Sequence, residues 1–218
     1  MTEVKICGLT RPADVDLACA LGASYVGFNF AAVSSRRVTL DAARDLVGAT
    51  RPGVLRVGVF VHESADEIRK AAATARLDLI QIHRPISAQD VNQSPLPVIA
   101  VVGVSRNGAD ASPPELLARC RSVLCDTAAP GRSGGTGTVF DWSLLAGQVW
   151  PVPIILAGGL DPDNVGEAIA RVHPFAVDVA SGVESSPGIK DEDRMQLFFE
   201  AVRRADRSSS FPPGRGKG

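Results

Sequence analysis

Eight short apolar or β-branched runs recur along the chain, each followed by a segment with helical periodicity, and this alternation restricts the fold more than any other feature. The runs cover residues 4–7, 25–30, 55–61, 77–82, 98–102, 122–126, 153–157 and 175–179, with candidate helices at 12–21, 39–49, 64–76, 87–93, 113–120, 141–147, 161–171 and 190–205. Runs that are apolar throughout suit parallel strands covered on both faces, and joining them through helices calls for right-handed crossovers. Eight such units favour closure into a (β/α)8 barrel over an open sheet, because closure removes unpaired edges. Capping residues mark several helix starts: Thr39, Ser64, Ser87, Ser112 before Pro113, and Asp161 before Pro162. One α/β barrel domain over residues 1–206 is expected, with the Ser/Gly/Pro-rich stretch 207–218 as a disordered tail.

A formal net charge of -1 excludes a basic field that would gather nucleic acid or an anionic membrane, so an anionic substrate has to be gripped locally. No apolar stretch approaches the length of a membrane span, and no secretory signal precedes the strand at 4–7, so a cytoplasmic enzyme, monomer or homodimer, is expected. Cys7, Cys19, Cys120 and Cys125 form no CxxC pair and have no histidine at zinc spacing; no metal is expected.

In a barrel, reactive groups project from the carboxyl ends of strands. The polar residues there are few: Cys7 at strand one, Arg36 and Arg37 after strand two, Gln81 and His83 at strand four, Asp126 at strand six and Asp178 at strand eight. On position alone Cys7 is equally a small buried hydrophobe and a proton acceptor, for which a modest downward pKa shift would suffice. Asp126 is by itself an ordinary loop cap, yet strands one and six open into one mouth, where a base and an acid can act on different atoms of one substrate. One of Arg36 and Arg37 can pair a substrate carboxylate while the other stays solvated. Asp178 can accept hydrogen bonds from sugar hydroxyls. His83 is read as structural, and His62 and His173 as surface or turn residues. Glycine clusters at 134–137, at Gly158 and Gly159, and at Gly182 beside Ser181 offer backbone N–H groups, and paired glycines in the seventh and eighth loops suit a phosphate.

Taken together, KICGLT at 5–10, GFNF at 27–30 with SSRRVT at 34–39, DLIQIH at 78–83, GGTGTVFDW at 134–142, ILAGGLDPDNV at 155–165 and VDVASGVESSPGIKD at 177–191 resemble the phosphoribosylanthranilate isomerases. The resemblance implies a (β/α)8 barrel performing an Amadori rearrangement on a phosphosugar in tryptophan biosynthesis, without metal or organic cofactor. It implies Cys7 as general base and Asp126 as general acid, Arg36 on the anthranilate carboxylate, Asp178 on the ribose, and Gly158, Gly159, Ser181 and Gly182 on the phosphate. The chain departs from the family pattern at AAVSSR, where YxxSPR is usual, and at Arg84, which replaces a glycine and is expected to point outward. A histidine-pathway aminoaldose isomerase would show a two-fold repeat and an aspartate ending strand one, and neither is present. A barrel that only binds a sugar phosphate would not need both Cys7 and Asp126.

Overall fold

The computed structural model describes residues 1–105, 108–109, 112–127 and 141–209. Eight parallel strands run in chain order around one sheet: β1 (Glu3–Ile6), β2 (Tyr25–Asn29), β3 (Leu55–Phe60), β4 (Leu79–Ile82), β5 (Val98–Ser105), β6 (Ser122–Thr127), β7 (Ile154–Leu156) and β8 (Ala176–Val179). Pairing of β4 with β5 and of β1 with β8 closes the circle. Each expected run coincides with a strand, with ends that differ by at most three residues, as suits apolar β-branched segments covered on both faces.

The two phases of each strand go to different places. Tyr25, Val57, Leu79, Ile99, Val101, Leu124, Ile155 and Ala176 fill the barrel interior. Their alternates, among them Ile6, Phe28, Phe60, Ile80, Val123 and Leu156, pack outward against the helices. Each fully buried aliphatic or aromatic side chain of this kind contributes roughly 1.5–3 kcal/mol.

The helices are α1 (Pro12–Leu21), α2 (Leu40–Gly48), α3 (Ala65–Thr74), α4 (Ala88–Gln93), α5 (Pro114–Leu117), α6 (Val165–Val172) and α7 (Glu192–Ser209). Thr39 caps α2 by accepting from Ala42 N–H, and Ser64 and Ser87 form reciprocal capping boxes with Glu67 and Asp90. Pro12 occupies the first turn of α1, and Gly22 ends it at φ 104°, a left-handed conformation that favours glycine.

Four expectations about the helices need correcting. The helix expected at 113–120 is the four-residue α5, whose cap position is Pro113, with no side-chain cap. The one expected at 141–147 is the 3-10 turn Trp142–Leu144, capped by Asp141. Asp161 does not cap α6; its carboxylate accepts from the N–H groups of Asp163 and Asn164, folding a turn that delays the helix to Val165. The helix expected at 190–205 is α7, Glu192–Ser209, with Arg207 in its last turn, where a cation favours the helix dipole. Residues 210–218 and the glycine cluster 134–137 lie outside the described residues. Among the described residues no helix is long and apolar enough to cross a membrane.

Candidate active site

The interior phase that is apolar at the base of the barrel turns polar towards its carboxyl end. Successive inward positions are Tyr25, Gly27 and Asn29 on β2, Leu79, Gln81 and His83 on and after β4, and Leu124 then Asp126 on β6. On β1 the inward residues are Lys5 and Cys7, and on β8 Ala176 and Asp178. Cys7, Arg36, Gln81, His83, Asp126 and Asp178 line one cavity of about 110 Å³. Gly27 makes room at its wall: a Cβ there would lie 2.9 Å from Cys7 Sγ and 3.3 Å from Lys5 Nζ.

Register sets the floor. Lys5 lies opposite Asp178 across the β1 and β8 ladder, and its ammonium donates to Asp178 Oδ1 at 2.9 Å, both side chains being buried. Burial works against the Lys5 charge, but Asp178 and Cys7 more than offset it and hold the ammonium above its ordinary range. Burial pushes the Cys7 thiol up, and Lys5 opposes that shift. The modest downward shift that would suit a base near neutrality is thus not what the enclosed site imposes, because desolvation penalises a thiolate.

Asp126 Oδ1 accepts from Thr127 N–H at 2.7 Å, and Oδ2 lies 3.5 Å from His83 Nε2. Burial raises the Asp126 carboxyl, with His83 acting against the rise, and burial lowers the His83 imidazole, with Asp126 opposing. Both groups lean towards their neutral forms. His83, read as structural from sequence, thus faces the mouth, whereas His62 and His173 are exposed.

Arg36 reaches the cavity along Glu184. Its Nε donates to Oε1 at 2.8 Å and its Nη2 to Oε2 at 2.7 Å, while Lys190 Nζ donates to the same carboxylate at 2.8 Å. Glu184 and Lys190 belong to a short hairpin, Glu184–Ser186 against Ile189–Lys190, in the loop after β8. Gly8, at φ 72°, lies against the Arg36 side chain, where a Cβ would overlap Cδ. Arg37 is exposed. Arg84 also turns away from the mouth: Nε donates to the Val61 carbonyl and the guanidinium pairs with Asp90.

Beside the main cavity, Gly158, Gly159 and Ser181 line a smaller one of about 50 Å³ that shares Asp126 and Asp178. Gly158 has φ 85°, and a Cβ there would collide with Thr127. Gly182 is not part of this lining. A Cβ there would collide with the Leu160 carbonyl oxygen, so this glycine is needed where the seventh and eighth loops touch. Lys5, Glu184 and Lys190 were not singled out from sequence; a lysine inside an apolar strand was the available signal for Lys5. Among the described residues no group of three or more His, Cys, Asp or Glu side chains is arranged to hold a metal ion.

A closed barrel whose mouth gathers a thiol, an imidazole and two carboxyl groups around one cavity defines an acid–base enzyme of the (β/α)8 class. Residues 4–201 match the family model described as N-(5'-phosphoribosyl)anthranilate (PRA) isomerase. The chain belongs to that family. It is 45% identical over 204 residues to the N-(5'-phosphoribosyl)anthranilate isomerase of Pseudomonas fluorescens, covering 94% of this chain and 97% of the relative. The crystal structure of phosphoribosyl anthranilate isomerase from Thermotoga maritima superposes with a TM-score of 0.83 at 37% identity, covering 94% of this chain and all of that one (100%). A second crystal structure of such an isomerase, in complex with reduced 1-(o-carboxyphenylamino)-1-deoxyribulose 5-phosphate, gives 0.80 at 35% identity, with coverage of 94% and 100%.

Proposed function

We propose that this chain converts N-(5-phosphoribosyl)anthranilate into 1-(2-carboxyphenylamino)-1-deoxyribulose 5-phosphate in tryptophan biosynthesis, with Cys7 as general base and Asp126 as general acid. What carries the reading is the shared cavity: Cys7 and Asp126 line it together, in a chain of the isomerase family.

Asp126 donates its proton to the furanose ring oxygen as the C1′–O bond breaks, and the anthranilate nitrogen lone pair forms the C1′=N bond. The resulting iminium acidifies the C2′ proton. Cys7, as thiolate, takes that proton, and the freed electron pair becomes the C1′=C2′ bond of an enolamine while the nitrogen recovers its lone pair. Transfer of the enol proton to C1′ completes the aminoketose, and proton exchange with solvent returns Cys7 to the thiolate and Asp126 to the acid. Proton transfers and the nitrogen lone pair account for every bond, so no cofactor is called on. Lys5 is the cation that favours ionisation of the otherwise desolvated Cys7.

Arg36, steadied by Glu184, is assigned to the anthranilate carboxylate, Asp178 to the ribose hydroxyls, and the backbone around Gly158, Gly159 and Ser181 to the phosphate, with Gly182 keeping that loop pair closed. The enzyme is assigned to the cytoplasm, as a monomer or homodimer with one catalytic domain.

Turnover of N-(5-phosphoribosyl)anthranilate by the purified protein tests the reading. Cys7→Ser and Asp126→Asn should each lower kcat by about 10² or more, the usual worth of an acid or base, while product affinity stays near that of the unaltered protein. Near-normal turnover in either variant would overturn the assignment.

A further inference from the structure

Gln81 is a buried amide whose partners do not add up. It is 1% exposed and on the inward phase of β4, two residues before His83. Among the described residues its carbonyl oxygen, Oε1, has no hydrogen-bond partner, while its Nε2 lies 3.5 Å from His83 Nδ1. Half a turn of the carboxamide about its last bond exchanges Oε1 and Nε2, so in either orientation one end of the amide lacks a partner, and the two orientations differ in the tautomer each imposes on His83. With the carbonyl facing it, the ring carries its proton on Nδ1, which donates to Gln81, and Nε2 is bare. The atom facing bare Nε2 is Asp126 Oδ2.

We propose that Gln81, His83 and Asp126 form a proton-holding chain, in which Gln81 is a positioning residue that accepts from His83 Nδ1–H and so leaves Nε2 to accept a hydrogen bond from a protonated Asp126. This inference rests on Asp126 being the acid of the rearrangement. The opposite tautomer, with Nε2–H donating to Asp126, stabilises the carboxylate, which has no proton to give. An ion pair between imidazolium and carboxylate would be disfavoured by burial of both groups. The charged and titratable groups around the pair are Lys5 and Cys7 from β1, Arg36 from the loop after β2, and Asp178 from β8. Lys5 and Asp178 neutralise one another at 2.9 Å, which leaves the local proton balance to the chain itself.

The test reads the His83 ring nitrogens in 15N-labelled protein without substrate, the signals assigned by their loss in His83→Asn, alongside the 13C titration of the Asp126 carboxyl. The expected result is a neutral Nδ1–H ring wherever Asp126 is protonated, converting to Nε2–H, by exchange with solvent, as Asp126 ionises. Gln81→Met should move the Asp126 titration to lower pH and reduce kcat about tenfold, short of the loss expected for removing the acid, with KM changed less than twofold. Gln81→Glu, at pH values where its carboxylate is ionised and can only accept, should keep the Nδ1–H ring. An Nε2–H ring at every pH, an imidazolium facing an ionised Asp126, or an unmoved Asp126 titration in Gln81→Met would overturn the proposal. The ring measurement is independent of turnover: an Nδ1–H ring in a protein that does not isomerise the substrate sinks the isomerase reading alone, and an Nε2–H ring in an active enzyme sinks only this one.

Discussion

Lys5 is among the largest fully buried side chains of the molecule, and its charge is tolerated because the register of β1 and β8 sets Asp178 opposite it. Removing one member of a buried pair strands the other, at a cost of about 3–5 kcal/mol. Lys5→Met should therefore lower the urea unfolding free energy by about that amount, and combining it with Asp178→Leu should recover most of the loss, because both charges then leave together. A loss no larger than that of an exposed pair would show that solvent reaches the pair. Cys7, Asp126 and Asp178 were legible in the sequence because strand alternation puts every second residue inside the barrel, and each is the last polar residue of that phase. The partners of Arg36 were not legible. Glu184 lies 148 positions along the chain, and nothing local to Arg36 announces the carboxylate that holds it.

The connection from β4 to α4 shows how one element is pinned beside the site. Arg84 ties the end of β3 to the first turn of α4 through the Val61 carbonyl and Asp90, and Asp90 is also the reciprocal partner of Ser87 in the capping box. The Arg84 guanidinium holds the Asp90 carboxyl well below its ordinary range, at about 2. A folded-state value below the unfolded one means the stabilisation is fully present above about pH 4 and is lost as pH falls through about 2. With solvent screening, the pair is worth on the order of 1 kcal/mol. Arg84→Met should be less stable by that amount at neutral pH, and the gap should narrow as unfolding is followed towards pH 2; a gap independent of pH would assign the effect to packing. Long elements such as α1, α2 and α3 were legible from period and caps. The short ones were not, because α5 and the turn at Trp142–Leu144 carry too few residues to express a period, and Asp161 uses its carboxylate in a turn rather than a cap.

Across the whole molecule, sheet closure is matched by closure of the outer ring. Helix α7 packs against α1 and α6, and near its end Asp206 accepts from Thr2 N–H at 2.8 Å and from Thr2 Oγ1 at 2.7 Å. Hydrogen bonds to a charged acceptor that is partly exposed are worth about 1–2 kcal/mol together, so Asp206→Ala should lower Tm by roughly 2–8 °C in a chain of this size. Calorimetry finding no change would place the seal elsewhere along α7. The eightfold alternation itself was plain in the sequence, whereas this join was not, because it links positions 204 apart.

Since Thr2, just before the first strand, is bonded to α7, the order in which the polypeptide visits its eight units belongs to the gene and not to the architecture. Splice the two ends together, open the backbone at a solvent-facing turn on the amino side, and the same ring of side chains would converge on the same chamber.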